Sequence, residues 1–342
     1  MQIIQYFLVL MSKFLSLLIF SQFIFLAACS PSYSNVAIYD IKPLHFDENE
    51  LPHLQVLDGK SLHLKDQKEK VITELSGIAW DHDEEILYAV SDEGMLYHLN
   101  LVIKEEQLIS VKTLNQYKFY SKDKKVLKGK WSDTEGLSLQ NHNNGKKGDS
   151  KLIISFENKP RILLYTPKGE FIKKIKIPKK LTKRKSFRHK NKALEAVTFH
   201  SEYGVITAGE YPLREKPKDI HTLYSAKGHE WSFIKSKTKN SAITGLEVLD
   251  GGAQLLVLER AWSGIANPLE IRLSSINTDE CDKLNFCQQT ILGDFSTADG
   301  WQLDNFEGLA TLGDNHFLMV SDDNQSRFQR TVLVLFRVSI NK

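Results

Sequence analysis

Only three cysteines occur in 342 residues. Cys281 and Cys287, with five residues between them, have neither a second cysteine pair nor a nearby histidine to complete a zinc shell. At that spacing they read as a disulfide closing a small loop, a pairing that belongs to an exported chain. Long apolar runs are equally scarce. The one extended run, Phe14 to Ala28, counts 15 residues, short of the roughly 20 that a membrane-spanning helix needs. From Asp40 onward no stretch has the period of a long amphipathic helix. Common catalytic signatures are missing as well: there is no Gly-x-Ser-x-Gly elbow, no His-Glu-x-x-His, no phosphate-binding Gly-x-x-x-x-Gly-Lys-Ser/Thr, and no full EF-hand loop around Asp81-His82-Asp83. His82, His200 and His316 fall at or near expected strand turns, where a solvated imidazole is expected rather than a base.

The N-terminal run follows Lys13 and ends in Leu26-Ala27-Ala28-Cys29, which reads as a secretory signal over residues 1–28 with small residues at the cleavage site. Leu-Ala-Ala-Cys resembles the bacterial lipobox. The resemblance implies cleavage before Cys29, lipidation of its thiol and a tether over residues 29–52 holding the protein to a membrane. Ser30 after the cysteine points to the periplasmic face of an outer membrane. Met11 is a more natural start than Met1, since it sets the charge beside the initiator. A monomer with no nucleic-acid partner is expected.

The net charge of +3 conceals a segregation. Between Lys173 and Lys192 there are eleven lysines and arginines and no acid; removing those eleven from +3 leaves −8 for the rest. Such a run is either a solvated connector between strands or a surface for anionic head groups.

What the chain has in abundance is a repeated phrase. A polar or acidic residue, a small residue and an aliphatic one are followed, a hairpin later, by an apolar run ending in a polar cluster. The phrase occurs at Ser76-Gly77-Ile78, Glu135-Gly136-Leu137, Glu195-Ala196-Val197, Thr244-Gly245-Leu246 and Glu307-Gly308-Leu309, at intervals of 59, 60, 49 and 63 residues. A period of roughly 50 to 60 fits one four-stranded blade with its loops. Residues 53–342 are therefore expected to form an all-β propeller of five or six four-stranded blades. The last repeat lacks one strand, and Leu54 to Leu64 is placed to supply it and close the ring; Val36 to Leu64 is the alternative source of a sixth, degenerate blade.

Equivalent repeat positions converge around a propeller channel. Glu135, Glu195 and Glu307 share one position, and Asp92, Glu157, Glu210, Glu259 and Asp322 are read as sharing another. Clustered carboxylates repel unless a cation or arginines neutralise them or some keep their protons, and oxygen-rich sites favour Ca²⁺ or Mg²⁺. Arg161, Arg214 and Arg260 follow the second acidic position, either as internal ion pairs or as forks for an anionic ligand.

These residues carry a family resemblance. Ser76 to Trp80 with Tyr88 to Asp92, Thr134 to Leu137, Glu157 to Ile162, Asn191 to Ala196, and above all Asn305 to Ala310 with Val320 to Asn324 resemble the bacterial phytase-like domain, named for "esterase-like activity of phytase". The resemblance covers Leu75 to Val338 and implies a β-propeller and hydrolysis of ester or phosphoester bonds. The chain departs from it at Ala193 and Ala196, where glycine is usual. The expected enzyme holds a divalent cation on Glu135, Glu195 and Glu307, orients a small anionic ester with Arg161 and Arg260, and takes a proton on Asp322. The alternative is a non-catalytic propeller that binds a partner at the cell envelope, its acids and arginines serving only as structural pairs.

Overall fold

A computed structural model describes residues 35–189, 191–249, 252–264 and 266–339. The signal segment, Cys29 and the first residues of the expected tether lie outside the described residues.

Short apolar runs bounded by turn residues form the strands. β1 (Val36–Ile38) and β2 (Leu54–Leu62) come first in the chain. Blade 1 is the meander β3 (Leu75–Asp81), β4 (Ile86–Ser91), β5 (Met95–Lys104) and β6 (Gln107–Lys118). Blade 2 is β7 (Thr134–Gln140), β8 (Lys151–Phe156), β9 (Arg161–Tyr165) and β10 (Phe171–Ile175). Blade 3 is β11 (Val197–His200), β12 (Gly204–Ala208), β13 (Ile220–Ser225) and β14 (Glu230–Ile234). Blade 4 is β15 (Ser241–Val248), β16 (Gln254–Ala261), β17 (Glu270–Asn277) and β18 (Gln289–Ser296). Blade 5 takes β19 (Asn305–Gly313), β20 (His316–Asp322) and β21 (Val332–Val338) from the C-terminal end and completes itself with β2 and then β1.

The ring therefore has five blades. Residues 36–62 add no sixth, because β2 pairs along the free edge of β21, from Leu54 opposite Val338 to Ser61 opposite Val332. Chain expected to be tether also packs here, with Ile41 buried in the core. Joining the two ends in one sheet removes an edge that would otherwise offer its backbone to other chains.

The core is divided among the blade interfaces. One apolar cluster lies between each neighbouring pair, for example Leu137, Leu152, Ile154 and Phe156 of blade 2 against Val90 and Leu96 of blade 1. Middle strands are covered on both faces, which is why β9 is buried along its whole length and reads as a continuous apolar run. The basic run is folded rather than a plain connector: Ile177, Leu181 and Phe187 plug the interface between blades 2 and 3, while Lys180 pairs with Glu215 at 3.0 Å and Glu230 at 2.6 Å.

The Cys281–Cys287 disulfide forms in the turn between β17 and β18. Its loop donates and accepts backbone hydrogen bonds with Ser232 of β14 (Cys287 N to Ser232 O, 2.7 Å; Ser232 N to Asn285 O, 2.9 Å). Blade 4 thus covers part of the outer edge of blade 3.

Candidate functional site

The repeated phrase builds the wall of the channel through one local distortion. In blades 1, 2, 4 and 5 the pairing of the innermost strand with its neighbour slips at the phrase: between Leu75 and Gly77, Thr134 and Leu137, Ile243 and Gly245, and Phe306 and Gly308. A bulge there leaves the polar residue before the glycine unpaired and turns it out of the ladder. The glycine that follows meets the next blade. A Cβ on Gly77 would lie 2.4 Å from the Glu135 carbonyl oxygen, one on Gly136 2.4 Å from that of Glu195, and one on Gly245 3.0 Å from that of Glu307. Five inner strands therefore close into a girdle. Only about 10 Å³ remains among Gly77, Gly136, Ala196, Gly245 and Gly308, no more than a single water occupies.

Above the girdle the channel opens into a cavity of about 1030 Å³ whose lining includes Asp92, Glu135, Lys192, Glu195, Arg260, Glu307 and Asp322. Strand register fixes which residues converge there. Gly245 pairs with Leu258 as Gly308 pairs with Val320, so Arg260 corresponds to Asp322, and the second ring reads Asp92, Glu157, Glu210, Arg260, Asp322. Glu259, expected in that ring, points away. It accepts hydrogen bonds from Ser236 N (3.1 Å) and Ser241 Oγ (2.9 Å) and lies 3.3 Å from His221 Nε2 between blades 3 and 4.

The acids divide by their partners. Glu307 is paired with Arg260 at 2.6 Å and accepts from Asn305 Nδ2 at 3.0 Å. Glu210, fully buried, meets Lys192 at 2.7 Å and Arg260 at 3.5 Å. Two oxygen triads stand beside this network. Asp133, Glu135 and Glu157 present oxygens within 4.8 Å of one another, and so do Glu157, Glu195 and Glu210. Glu157 belongs to both.

Crowding and burial hold protons on several of these groups. Burial, then Glu195 and other acids, keeps Glu135 well above the carboxylate range, and burial, then Glu210 and Glu307, does the same to Glu195. Burial raises Glu157 to about 7, Asp322 to about 8 and Asp92 to about 9, with Asp133 adding to the first and Glu307 to the other two. Glu307 is raised by burial although Arg260 opposes the shift.

The oxygens fit a hard cation. Glu157 Oε1, Glu210 Oε2 and Asp92 Oδ1 are buried without a hydrogen-bond partner among the described residues, a costly condition that a coordinated ion would relieve. Of the ligands expected from sequence, Glu135 and Glu195 each stand in a triad, whereas Glu307 is occupied by Arg260. Asp133, Glu157 and Glu210 complete the triads. Arg260 lines the cavity. Arg161 does not: it donates to the carbonyls of Lys159 (2.8 Å) and Trp131 and stacks on Phe156 at 3.8 Å, and burial pushes it down to about 10. Asp322 lines the cavity, accepting from Asn324 N at 2.8 Å. Lys192, the last residue of the basic run, was not expected in the site; its position three residues before Glu195 was the available signal.

No curated protein matches the chain. Among solved structures, one described as "Structure of Dos1 propeller" is similar at 9% identity and TM-score 0.35, over 83% of this chain and 75% of that one. Another, "Structure of U3-55K", is similar at 7% identity and TM-score 0.37, over 83% and 98%. The family model Phytase-like, described as "Esterase-like activity of phytase", matches residues 70–325. With four bulged inner strands, a glycine girdle and an acid-ringed cavity all inside that span, this chain belongs to the Phytase-like family.

Proposed function

We propose that the acidic mouth is a cation-dependent hydrolytic site for small phosphoesters. The observation that carries this reading is the pair of oxygen triads sharing Glu157, with partnerless buried oxygens on Glu157 and Glu210, and with Glu135 and Glu195 of the triads lining an open cavity. Either triad, Asp133 with Glu135 and Glu157 or Glu157 with Glu195 and Glu210, would hold the ion, which when bound supplies a Lewis acid and offsets the charge of the ester. Arg260 and Lys192 face the same space and orient the anionic group. Asp322 was expected to take a proton, but its raised affinity makes it a donor near neutral pH. As the water oxygen bonds to phosphorus and the ester P–O bond breaks, Asp322 gives its proton to the departing alcohol oxygen and regains the one that water releases.

We also propose that the protein lies outside the cytoplasm, anchored through a lipidated Cys29 on the periplasmic face of an outer membrane. The Leu26-Ala27-Ala28-Cys29 sequence and a disulfide support it. Mass spectrometry of the N-terminal peptide tests the anchor: an unmodified cysteine, or a mature N terminus elsewhere, overturns it.

For the site, calorimetry with Ca²⁺ and Mg²⁺ on the mature chain is paired with turnover of 4-nitrophenyl phosphate. Expected are saturable binding and hydrolysis that a chelator abolishes. If no divalent ion binds and no ester turns over, the acids and arginines are structural pairs and the propeller is a binding scaffold.

A further inference from the structure

The upper cavity is not lined by charge alone. Trp262 is 57% exposed and Phe328 is 97% exposed, and both line this cavity together with Leu269 and Leu303. Each aromatic follows the second strand of its blade, Trp262 just after β16 and Phe328 in the loop after β20, so neighbouring blades 4 and 5 place them over the same opening. Large aromatics left in water beside a polar pocket cost solvation unless something covers them.

The charged lining narrows what that something is. Its cations are Lys192 and Arg260, already engaged by Glu210 and Glu307, against the carboxyls of Asp92, Glu135, Glu195, Asp304, Glu307 and Asp322. With Lys192 and Arg260 the only cationic side chains among the described residues of the lining, a ligand carrying many phosphates would leave most of them without a partner. One anionic group is the most that two preoccupied cations can serve.

Resting on the hydrolytic reading above, we infer that the substrate is a phosphoester with a single phosphate and a flat aromatic ring on its alcohol, the ring held between Trp262 and Phe328 and the phosphate below it at Arg260 and Lys192. Inositol polyphosphates, with a single anionic subsite for many phosphates, are expected to be poorer substrates. Stacking on one aromatic side chain contributes about 0.5–1.5 kcal/mol, a factor of about two to twelve in affinity.

The test compares 4-nitrophenyl phosphate, glycerol phosphate and inositol hexakisphosphate on the Ca²⁺-loaded protein and its Trp262→Ala and Phe328→Ala variants, with calorimetric binding of the non-hydrolysable phenylphosphonate alongside. The expected results are a preference for the aryl ester over the other two and a KM for it that rises about five- to tenfold more than that for glycerol phosphate in each variant. Phenylphosphonate binding should weaken in parallel, and Trp262→Phe should restore most of both effects. Equal effects on aryl and glycerol esters, or a preference for inositol hexakisphosphate, overturn the inference. Should no ester be hydrolysed while phenylphosphonate still binds through Trp262 and Phe328, the hydrolytic reading fails and the ligand class stands. Absence of binding in a folded protein removes the ligand class.

Discussion

Glu157 shows how much one side chain can carry when two triads share it. Replacing it with Gln keeps shape but removes the charge common to both oxygen sets; calorimetry should find Ca²⁺ affinity down by more than about tenfold, with the melting temperature without calcium unchanged or higher, because a partnerless buried carboxyl is lost. Arg260→Ala should do the opposite. It leaves Glu307 and Glu210 short of their shared cation, and removing one partner of a buried pair costs about 3–5 kcal/mol, readable by urea denaturation. At this scale the sequence misled twice. Glu259 and Arg260 are adjacent, and an acid-by-acid comparison of the repeats selects Glu259; counting residues from the glycine pairings selects Arg260, since Glu259 stands where Ser321 does and Arg260 where Asp322 does. Arg161 misled for another reason: a guanidinium near an acid in sequence had two carbonyls and a phenyl ring as closer partners.

Elements were more legible than side chains. The five repeats of the phrase marked the five blades, because each blade rebuilds the same inner-strand entry at a similar spacing. The missing strand of the last repeat was also legible, since an incomplete sheet at one end and a spare strand at the other imply each other. What spacing could not show was the role of turns: the disulfide loop lies in a β17–β18 connection, yet it hydrogen-bonds to β14 of the neighbouring blade. Cys281→Ser with Cys287→Ser should lower stability by about 2 kcal/mol, and hydrogen exchange should show the added loss of protection at Ser232 rather than in β15 or β16. The glycine girdle is equally exacting. Gly136→Ala places a methyl 2.4 Å from one backbone atom and 2.9 Å from another, Val197 N, so a loss of about 1–3 kcal/mol is expected, measured by thermal melts.

For the whole molecule, the crowded mouth ties stability to pH. Asp92, Glu135, Glu195, Glu307 and Asp322 all hold protons more tightly in the fold than in an unfolded chain, where carboxyls ionise near about 4. Above that pH the unfolded chain has released protons that the native state keeps, so stability falls as pH rises through the folded values of Asp322 and Asp92, about 8 and 9. Melting temperature in chelator should therefore drop between pH 5 and pH 9, and saturating Ca²⁺ should flatten the drop. A melting temperature that climbs over this range without metal would contradict the crowding.

The girdle at mid-channel also makes the ring a cup rather than a pipe. With five backbones in contact, whatever reaches the acidic floor must leave by the opening through which it came. Incoming ester and outgoing phosphate then queue at a single door, so a catalyst built this way would be throttled by its own product, and free phosphate should act as a competitive inhibitor however fast the chemistry beneath it runs.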